Sequence, residues 1–297
     1  MGCTGAHVVS LCGTMSAVAD VSSWAEFERA GWESKVDPYH SFFGPISEAV
    51  SNPMLDAAGV QSGTRVLDLC CGPGYLAGAA ARRGAVADGL DIARAMVDRA
   101  AALHPSASFR AGDAEALPWP DATFDAVVCN FGIHHVSNAR AAFAEIARVL
   151  RTNGRVVCSV WDEDHDELAV VPEAVYGADP EVPVAIPSPP PVPNYSTADE
   201  ARPLLAEAGL TLHDITTVWL TQRYDSAEQL WDGWLAAAIR TKPILDAQSA
   251  DVRHRARAAF DRSIADKTDT DGTVEIRIAV QLVTATRELP SRPPQRP

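Results

Sequence analysis

Short apolar runs alternate with stretches of helical spacing between residues 64 and 161. Five runs are largely apolar rather than alternating, as expected of strands buried on both faces of a sheet, and they lie at 65–70, 85–91, 107–111, 124–130 and 155–161. Three stretches between them have the length and spacing of helices, at 75–83, 93–103 and 139–150. Asn153-Gly154 predicts the end of the last helix. This alternation predicts a doubly wound, mostly parallel α/β sheet.

The hydrophobic pattern changes on either side of this alternating segment. Residues 22–58 predict N-terminal helices, and 59–161 the core itself. Residues 162–195 predict a loop without a regular element, and seven prolines between Pro180 and Pro193 make part of it stiff and extended.

Residues 196–288 predict further elements that complete the sheet. These are a helix at 196–208, a strand at 210–220, helical spacing from Leu230, a helix at 245–264 and a last strand at 274–286. The ends, 1–21 and 289–297, predict disorder, and translation starts at either Met1 or Met15.

The composition and charge of the chain argue against several classes of protein. The formal net charge is −14, from 25 basic and 39 acidic residues, and an acidic chain without basic runs is a poor partner for nucleic acid or an anionic membrane. No apolar stretch is long enough to span a bilayer, and the N-terminus lacks the positive region of a signal peptide. The six cysteines form no CxxC pair and no zinc-like spacing with histidine. We therefore expect no metal, free thiols and a cytoplasmic protein.

The first strand ends in a glycine-rich loop, Asp68-Leu69-Cys70-Cys71-Gly72-Pro73-Gly74. Gly72 and Gly74 allow a tight turn and a close approach of the backbone to a ligand. The helix that follows directs its free N–H groups toward the same place. Because open α/β sheets bind ligands at the carboxyl ends of their strands, this loop is the first candidate site.

Two cofactor classes compete for the loop. The segment from Gly72 to Ala77 also matches GxGxxA, the fingerprint of dinucleotide binding. Pro73 argues against a pyrophosphate because it has no N–H to donate. Asp68 argues against it too, since a carboxylate repels a pyrophosphate and attracts an ammonium or a sulfonium.

The next two strands also end in carboxylates. Asp91 can accept both ribose hydroxyls of an adenosine, or alternatively cap the following helix. Ile92 and Met96 are placed to flank an adenine ring. Asp113 can accept the adenine amino group, or alternatively lie in a solvated turn.

The fourth strand ends in Asn130-Phe131-Gly132-Ile133-His134-His135. Asn130 or the neighbouring carbonyls can hold a methionine ammonium group. His134 and His135 follow where a substrate is expected, and a neutral histidine is a competent base near pH 7. We take His135 as the candidate base and His134 as a substrate contact; the alternative is that the pair only shapes the site.

Taken together, Asp68-x-x-x-Gly72-x-Gly74, Asp91, Gly112-Asp113-Ala114 and the segment from Asn130 to His135 resemble the class I S-adenosylmethionine (SAM)-dependent methyltransferases. The closest resemblance is to the ubiquinone/menaquinone-biosynthesis-like branch, and it covers residues 60–160 densely. Cys70 departs from that pattern, which commonly has glycine there.

The resemblance implies further features. It implies a seven-stranded sheet with an antiparallel last strand, and a lid formed by the N-terminal helices and by helices inserted at about 222–270. It implies that Tyr39, Cys70 and Ala114 lie near the cofactor and Tyr195 near the substrate. Trp231, with other lid tryptophans, suggests a hydrophobic acceptor, although helical spacing is also typical of core packing.

We therefore expect a SAM-dependent methyltransferase that acts on an oxygen or carbon of a small, hydrophobic metabolite or natural product of secondary metabolism. The alternatives are an NAD(P)-dependent oxidoreductase on the same sheet, and a binding module that holds SAM without catalysis.

Overall fold

The computed structural model describes residues 21–162, 164–187, 189–190 and 195–288. In this part of the chain seven strands form one sheet in the order β3-β2-β1-β4-β5-β7-β6. The strands are β1 (Arg65–Leu69), β2 (Val86–Asp91), β3 (Ser108–Ala111), β4 (Phe124–Asn130), β5 (Leu150–Trp161), β6 (Leu210–Tyr224) and β7 (Val274–Arg287). The predicted seven-stranded α/β sheet is confirmed.

The strand order creates a reversal beside β1. This strand pairs in parallel with β2 on one side and β4 on the other, and β2–β3 and β4–β5 are also parallel pairs. The chain runs outward from β1 to β3 and then returns to the opposite side of β1. The carboxyl ends of β1 and β4 therefore flank a topological switch point, where open α/β sheets bind their ligands.

Helices connect and follow the strands. They are α1 (Val21–Glu33), α2 (Val36–Phe42), α3 (Gly44–Ala57), α4 (Tyr75–Arg82), α5 (Arg94–Leu103), α6 (Ala139–Val149), α7 (Val170–Tyr176), α8 (Ala198–Glu207), α9 (Ala227–Ala237), α10 (Thr241–Asp246) and α11 (Ala250–Ser263). None of the helices described here is both long and apolar enough to cross a membrane.

Two contact-dense units make up the chain. The helical unit comprises Met1–Ala49, Trp161–Pro190 and Thr217–Val280; the sheet unit comprises Val50–Val160, Pro191–Thr216 and Gln281–Pro297. Fully buried side chains such as Leu67, Phe124 and Ile146 form the core of the sheet unit. The helical unit buries Trp24 and Phe260.

Three sequence predictions need correction. Residues 162–195 were expected to lack an element but contain α7, whose two-turn length gives only a weak periodic signal. The predicted helix at 245–264 is two helices, because the Ser249 hydroxyl accepts the Val252 N–H at 3.3 Å and starts α11 afresh. Asn153 lies within β5, since the chain becomes extended directly after α6 ends at Val149. The predicted disordered ends lie outside the described residues, apart from Val21.

Candidate functional site

The loop after β1 turns through left-handed backbone. Cys70, Gly72 and Gly74 have φ angles of 54°, 49° and 80°. A Cβ at Gly74 would lie 2.8 Å from the Ala100 Cβ and 2.8 Å from the Phe109 ring, so this position has no room for a side chain. Gly74 immediately precedes α4, and the loop therefore delivers the first turn of that helix to the switch point.

Asp68 lies at the base of this loop as a buried carboxylate. Its side chain is buried, and its Oδ2 accepts the Ala77 N–H at 2.9 Å. Burial raises the pKa of Asp68 well above its usual range; the Ala77 hydrogen bond opposes the shift, and the charge of Asp91 adds to it. A positively charged ligand nearby would lower the pKa of Asp68 by attraction to its carboxylate, whereas an anionic ligand would raise it further.

Asp91 connects the loop to the next helix. Its Oδ2 accepts the Gly72 N–H at 2.8 Å, and its Oδ1 accepts the Ala93 N–H at 2.9 Å, before α5 begins. Asp91 therefore holds the loop and binds the chain just before α5 without capping the helix itself, and its ribose role stays a prediction. Ile92 is partly buried beside it, while Met96 is 2% exposed and belongs to the core.

Asp113 follows β3 in a turn. Its exposed carboxylate accepts the Glu115 N–H at 2.9 Å, so the turn alternative is present in the structure. The Gly112 N–H donates to the Asp91 carbonyl oxygen at 2.9 Å, which ties this turn to the end of β2. Ala114 is buried. The Asp113 side chain is therefore exposed to solvent next to the site.

An ion pair on α6 anchors the rest of this segment. Arg148 pairs with Glu145 at 2.7 Å and donates to the carbonyl oxygens of Trp119 at 2.7 Å and Leu117 at 2.9 Å. Glu145 in turn accepts the Leu117 N–H at 2.7 Å. The hydrogen bond from Arg148 lowers the pKa of Glu145. Sequence reasoning missed this anchor, because an Arg three residues after a Glu on a helix is typical of a solvated face.

Ser159 orders the end of β4. Its hydroxyl donates to the Asn130 Oδ1 at 2.6 Å and accepts the Phe131 N–H at 2.9 Å. Phe131 has a φ of 54°, an uncommon backbone for a phenylalanine, and the serine hydrogen bond helps to hold it. The register pairs Asn130 with Ser159, which was not apparent from the sequence.

The two histidines follow in a 3-10 turn formed by Ile133–His135. Both side chains are partly buried, and their ring centroids lie 4.3 Å apart at an angle of 44°. The His135 N–H donates to the Gly132 carbonyl oxygen at 3.0 Å. The turn therefore places two imidazoles close to the carboxyl end of β4, as the sequence predicted.

Cys70 and Gly132 share the space between the ends of β1 and β4. A Cβ at Gly132 would lie 2.3 Å from the Cys70 Cβ and 3.1 Å from the Cys129 Sγ. A hydrogen bond with Cys129 and burial both raise the pKa of the Cys70 thiol, so it stays neutral. The cysteine thus fills space that the neighbouring segment leaves open with glycine.

Three further residues were predicted to lie near the cofactor or the substrate. Tyr39, in the helical unit, shares a hydrogen bond of 3.2 Å with the Ser47 hydroxyl. Trp231, in the same unit, is buried against Phe260 with ring centroids 4.9 Å apart. Tyr195, in the sheet unit, is 3% exposed and packs against the core. The burial of Trp231 and Tyr195 favours packing over a place at an open substrate mouth.

The sheet unit therefore joins Asp68, the glycine loop, Asp91 and the Asp113 turn at one edge of the sheet, with Asn130 and the histidines at the neighbouring strand end. Carboxylates at successive strand ends, a glycine turn and a helix N-terminus suit an adenosine attached to a positively charged group. This fold and site define an α/β protein whose strand ends suit a nucleoside-type ligand.

Comparison with known proteins finds relatives for the sheet-forming segment of the chain. Residues 67–158 match the model of a family described as methyltransferase domain. A demethylmenaquinone methyltransferase from Beutenbergia cavernae is 42% identical over 103 residues, covering 35% of this chain and 43% of that protein. A malonyl-[acyl-carrier protein] O-methyltransferase from Erwinia billingiae is 35% identical over 104 residues, covering 35% and 41%. The chain spans less than half the length of these curated relatives.

A solved structure shares the fold over a longer stretch. The crystal structure of the YcgJ protein from Bacillus subtilis superposes with a TM-score of 0.54 and 22% identity, over 82% of this chain and 99% of that one. The matched segment, residues 67–158, is therefore similar to methyltransferase domains, those of demethylmenaquinone methyltransferases among them. The buried carboxylates Asp68 and Asp91 suit a cationic ligand at the strand ends.

Proposed function

We propose that the chain is a SAM-dependent methyltransferase that transfers a methyl group to an oxygen or carbon of a small, hydrophobic acceptor. The observation that carries this proposal is the pair of buried carboxylates at adjacent strand ends, each of which also binds backbone of the loop or its helix. Their mutual repulsion favours a positively charged ligand at the switch point, and a sulfonium attached to an adenosine has that charge.

We assign different residues around the switch point to different groups of SAM. We assign the ribose hydroxyls to Asp91, the adenine amino group to Asp113, and the amino-acid ammonium to Asn130, which Ser159 keeps oriented. Ile92 lies next to Asp91 and is assigned to the adenine face, with Met96 supporting it from the core. Ala114 and the backbone of 70–74 complete the binding site within the sheet unit in this proposal.

When bound, SAM supplies an electrophilic methyl group on a good leaving group, so the protein contributes mainly position and the exclusion of water. A base is required only for an acceptor that must lose a proton. We assign this role to His135 and an acceptor contact to His134. The neutral thiol of Cys70 takes no chemical part.

Substitution of His135 tests the assignment of the base. For an acceptor that ionises during transfer, His135→Ala should lower kcat by about 100-fold or more, because a positioned base contributes that much. The affinity for SAM should not change. The matched control is His213→Ala on β6, whose imidazole makes an exposed hydrogen bond to Thr286; it should retain full activity. An unchanged kcat in His135→Ala removes the residue from the mechanism.

The acceptor class is tested by transfer of a labelled methyl group. The relatives named above act on demethylmenaquinone and on a malonyl thioester, so a naphthoquinol, a simple phenol and a malonyl thioester make an informative panel. Label in an apolar ring or phenol supports the proposal, while label only in the malonyl ester replaces the hydrophobic acceptor by an acidic one. Binding of SAM with no transfer to a broad panel favours the non-catalytic alternative.

The proposal also includes the cellular compartment and the kind of acceptor. The four described cysteines, Cys70, Cys71, Cys129 and Cys158, are free thiols, which supports a reducing cytoplasm. The net charge of −14 argues against nucleic acid or an anionic membrane as a partner. We therefore assign a diffusible small molecule as the acceptor.

A further inference from the structure

Four aromatic rings form a cluster within the helical unit. Phe42 lies at its centre: its ring stacks on Tyr224 at 5.5 Å between centroids and meets Trp234 edge-on at 6.2 Å. Phe43 meets Phe42 at 4.9 Å and Trp234 at 5.2 Å. We call Phe42, Phe43, Tyr224 and Trp234 the aromatic cluster.

Two polar atoms in this cluster have no hydrogen-bond partner among the described residues. They are the Tyr224 hydroxyl and the Trp234 Nε1, and both atoms are buried. A buried polar group that lacks a partner costs about 1–3 kcal/mol, so native proteins rarely retain one without a reason. Two such groups around one phenyl ring indicate that a bound molecule supplies their hydrogen-bond partners.

Both atoms act as donors. The indole N–H of tryptophan can only donate. Burial raises the pKa of the Tyr224 hydroxyl, and the negative charge of Asp166 raises it further, so the hydroxyl keeps its proton. The missing partner must therefore carry hydrogen-bond acceptors.

The packing leaves one side of the cluster partly open. Phe42 and Tyr224 are buried, whereas Phe43 and Trp234 are partly exposed. Gly233 lets Phe42 lie directly against α9, since a Cβ there would come within 2.4 Å of the Phe42 Cδ2. The rings therefore form an apolar cluster that is partly accessible to solvent and contains two buried donors, and flat apolar rings suit a flat ligand.

We propose that the aromatic cluster binds a flat, apolar small molecule bearing a carbonyl-type acceptor, and that Tyr224 and Trp234 donate hydrogen bonds to it. This binding site lies within the helical unit and does not depend on the proposed function. A pair of buried waters is the competing explanation for the two unpartnered donors.

A matched pair of probes separates these explanations. Binding of 1-indanone and of indane, which differ by one carbonyl oxygen, is measured by ligand-observed saturation-transfer NMR on the full chain without SAM. We expect 1-indanone to bind about tenfold more tightly than indane, because one or two hydrogen bonds contribute about that factor. Equal affinities, or no binding of either probe, overturn the proposal.

Two substitutions test whether the two donors cause the preference for 1-indanone over indane. Tyr224→Phe and Trp234→Phe should each reduce the preference for 1-indanone several-fold, while the affinity for indane changes less. Trp219→Phe is the control, because Trp219 is exposed and contacts Arg277 rather than the cluster; it should keep the wild-type preference. If both cluster variants keep the full preference for 1-indanone, the two donors bind internal waters and the proposed ligand site is wrong.

The outcome is independent of the proposed function. Retained methyl transfer with no carbonyl preference would contradict only the aromatic site. A carbonyl preference that Tyr224→Phe abolishes, in a chain that transfers no methyl group, would contradict only the proposed methyltransferase activity.

Discussion

Cys70 and Gly132 illustrate how one side chain constrains another across two strand ends. The cysteine adopts a φ of 54°, where glycine is usual, and its Cβ occupies the space that a side chain at 132 would need. The sequence alone revealed the departure from the family pattern at Cys70. It could not reveal Gly132 as the compensating residue, because the two positions meet only after β1 and β4 pair.

A double-mutant cycle measures this compensation. Gly132→Ala should lower the free energy of unfolding by about 1–3 kcal/mol, because it overpacks the contact with the Cys70 Cβ. In a Cys70→Gly background the same substitution should cost less than about 1 kcal/mol. Urea unfolding of the four proteins gives the coupling; effects that simply add would show that the two residues do not share the space.

Asp68 is predictable from the sequence, since its position four residues before Gly72 defines the motif. Its electrostatic state is not, because burial and the charge of Asp91 depend on the folded sheet. The raised pKa means that the folded chain binds a proton more tightly than the unfolded chain, whose carboxyl keeps its usual value of 3.8. Asp68 therefore destabilises the ligand-free protein progressively as pH rises above that value.

Asp68→Asn should separate stability from binding. The amide oxygen can still accept the Ala77 N–H, so the variant should be at least as stable as the wild type at pH 8, with a smaller gain at pH 5. Loss of the charge should weaken SAM binding by about tenfold. Thermal unfolding at both pH values and calorimetric titration check this; a destabilised variant with unchanged SAM affinity would contradict it.

At the scale of elements, prediction succeeded where a strand was short, apolar and bounded by polar or glycine residues. All five strands from β1 to β5 were predicted, and β5 alone begins earlier than expected, at Leu150. Prediction failed at α7 and at the division of 245–264, because short helices have too few turns for periodicity to show. It also missed the anchor of the Asp113 segment, which depends on carbonyl groups that Arg148 reaches about 30 residues away in the chain.

Arg148→Ala should loosen the Asp113 segment. The variant leaves Glu145 unpaired and frees two carbonyl groups, so the free energy of unfolding should fall by about 2–3 kcal/mol, and SAM affinity should fall with it. Arg94→Ala is the matched control, because its pair with Asp98 is exposed on α5; we expect a change within about 0.5 kcal/mol. Similar losses in both variants would show that Arg148 is only a surface ion pair.

At the scale of the whole molecule, sequence similarity and structure describe different parts. The family match covers residues 67–158, and it accounts for most of the cofactor site that the sequence predicted. The helical unit lies largely outside that match, so its function rests on its own residues. Tyr224 and Trp234 could not be singled out from sequence, because only the fold shows that their polar atoms are buried without partners.

We propose that the site at Asp68 and Asp91 binds a cationic adenosyl cofactor and not a dinucleotide. Calorimetric titration of the purified chain with SAM, and separately with NAD+ and NADP+, tests this most directly. We predict saturable binding of SAM and none of either dinucleotide, because two buried carboxylates and Pro73 oppose a pyrophosphate. Saturable binding of NAD+ or NADP+, with no heat from SAM, would contradict the account.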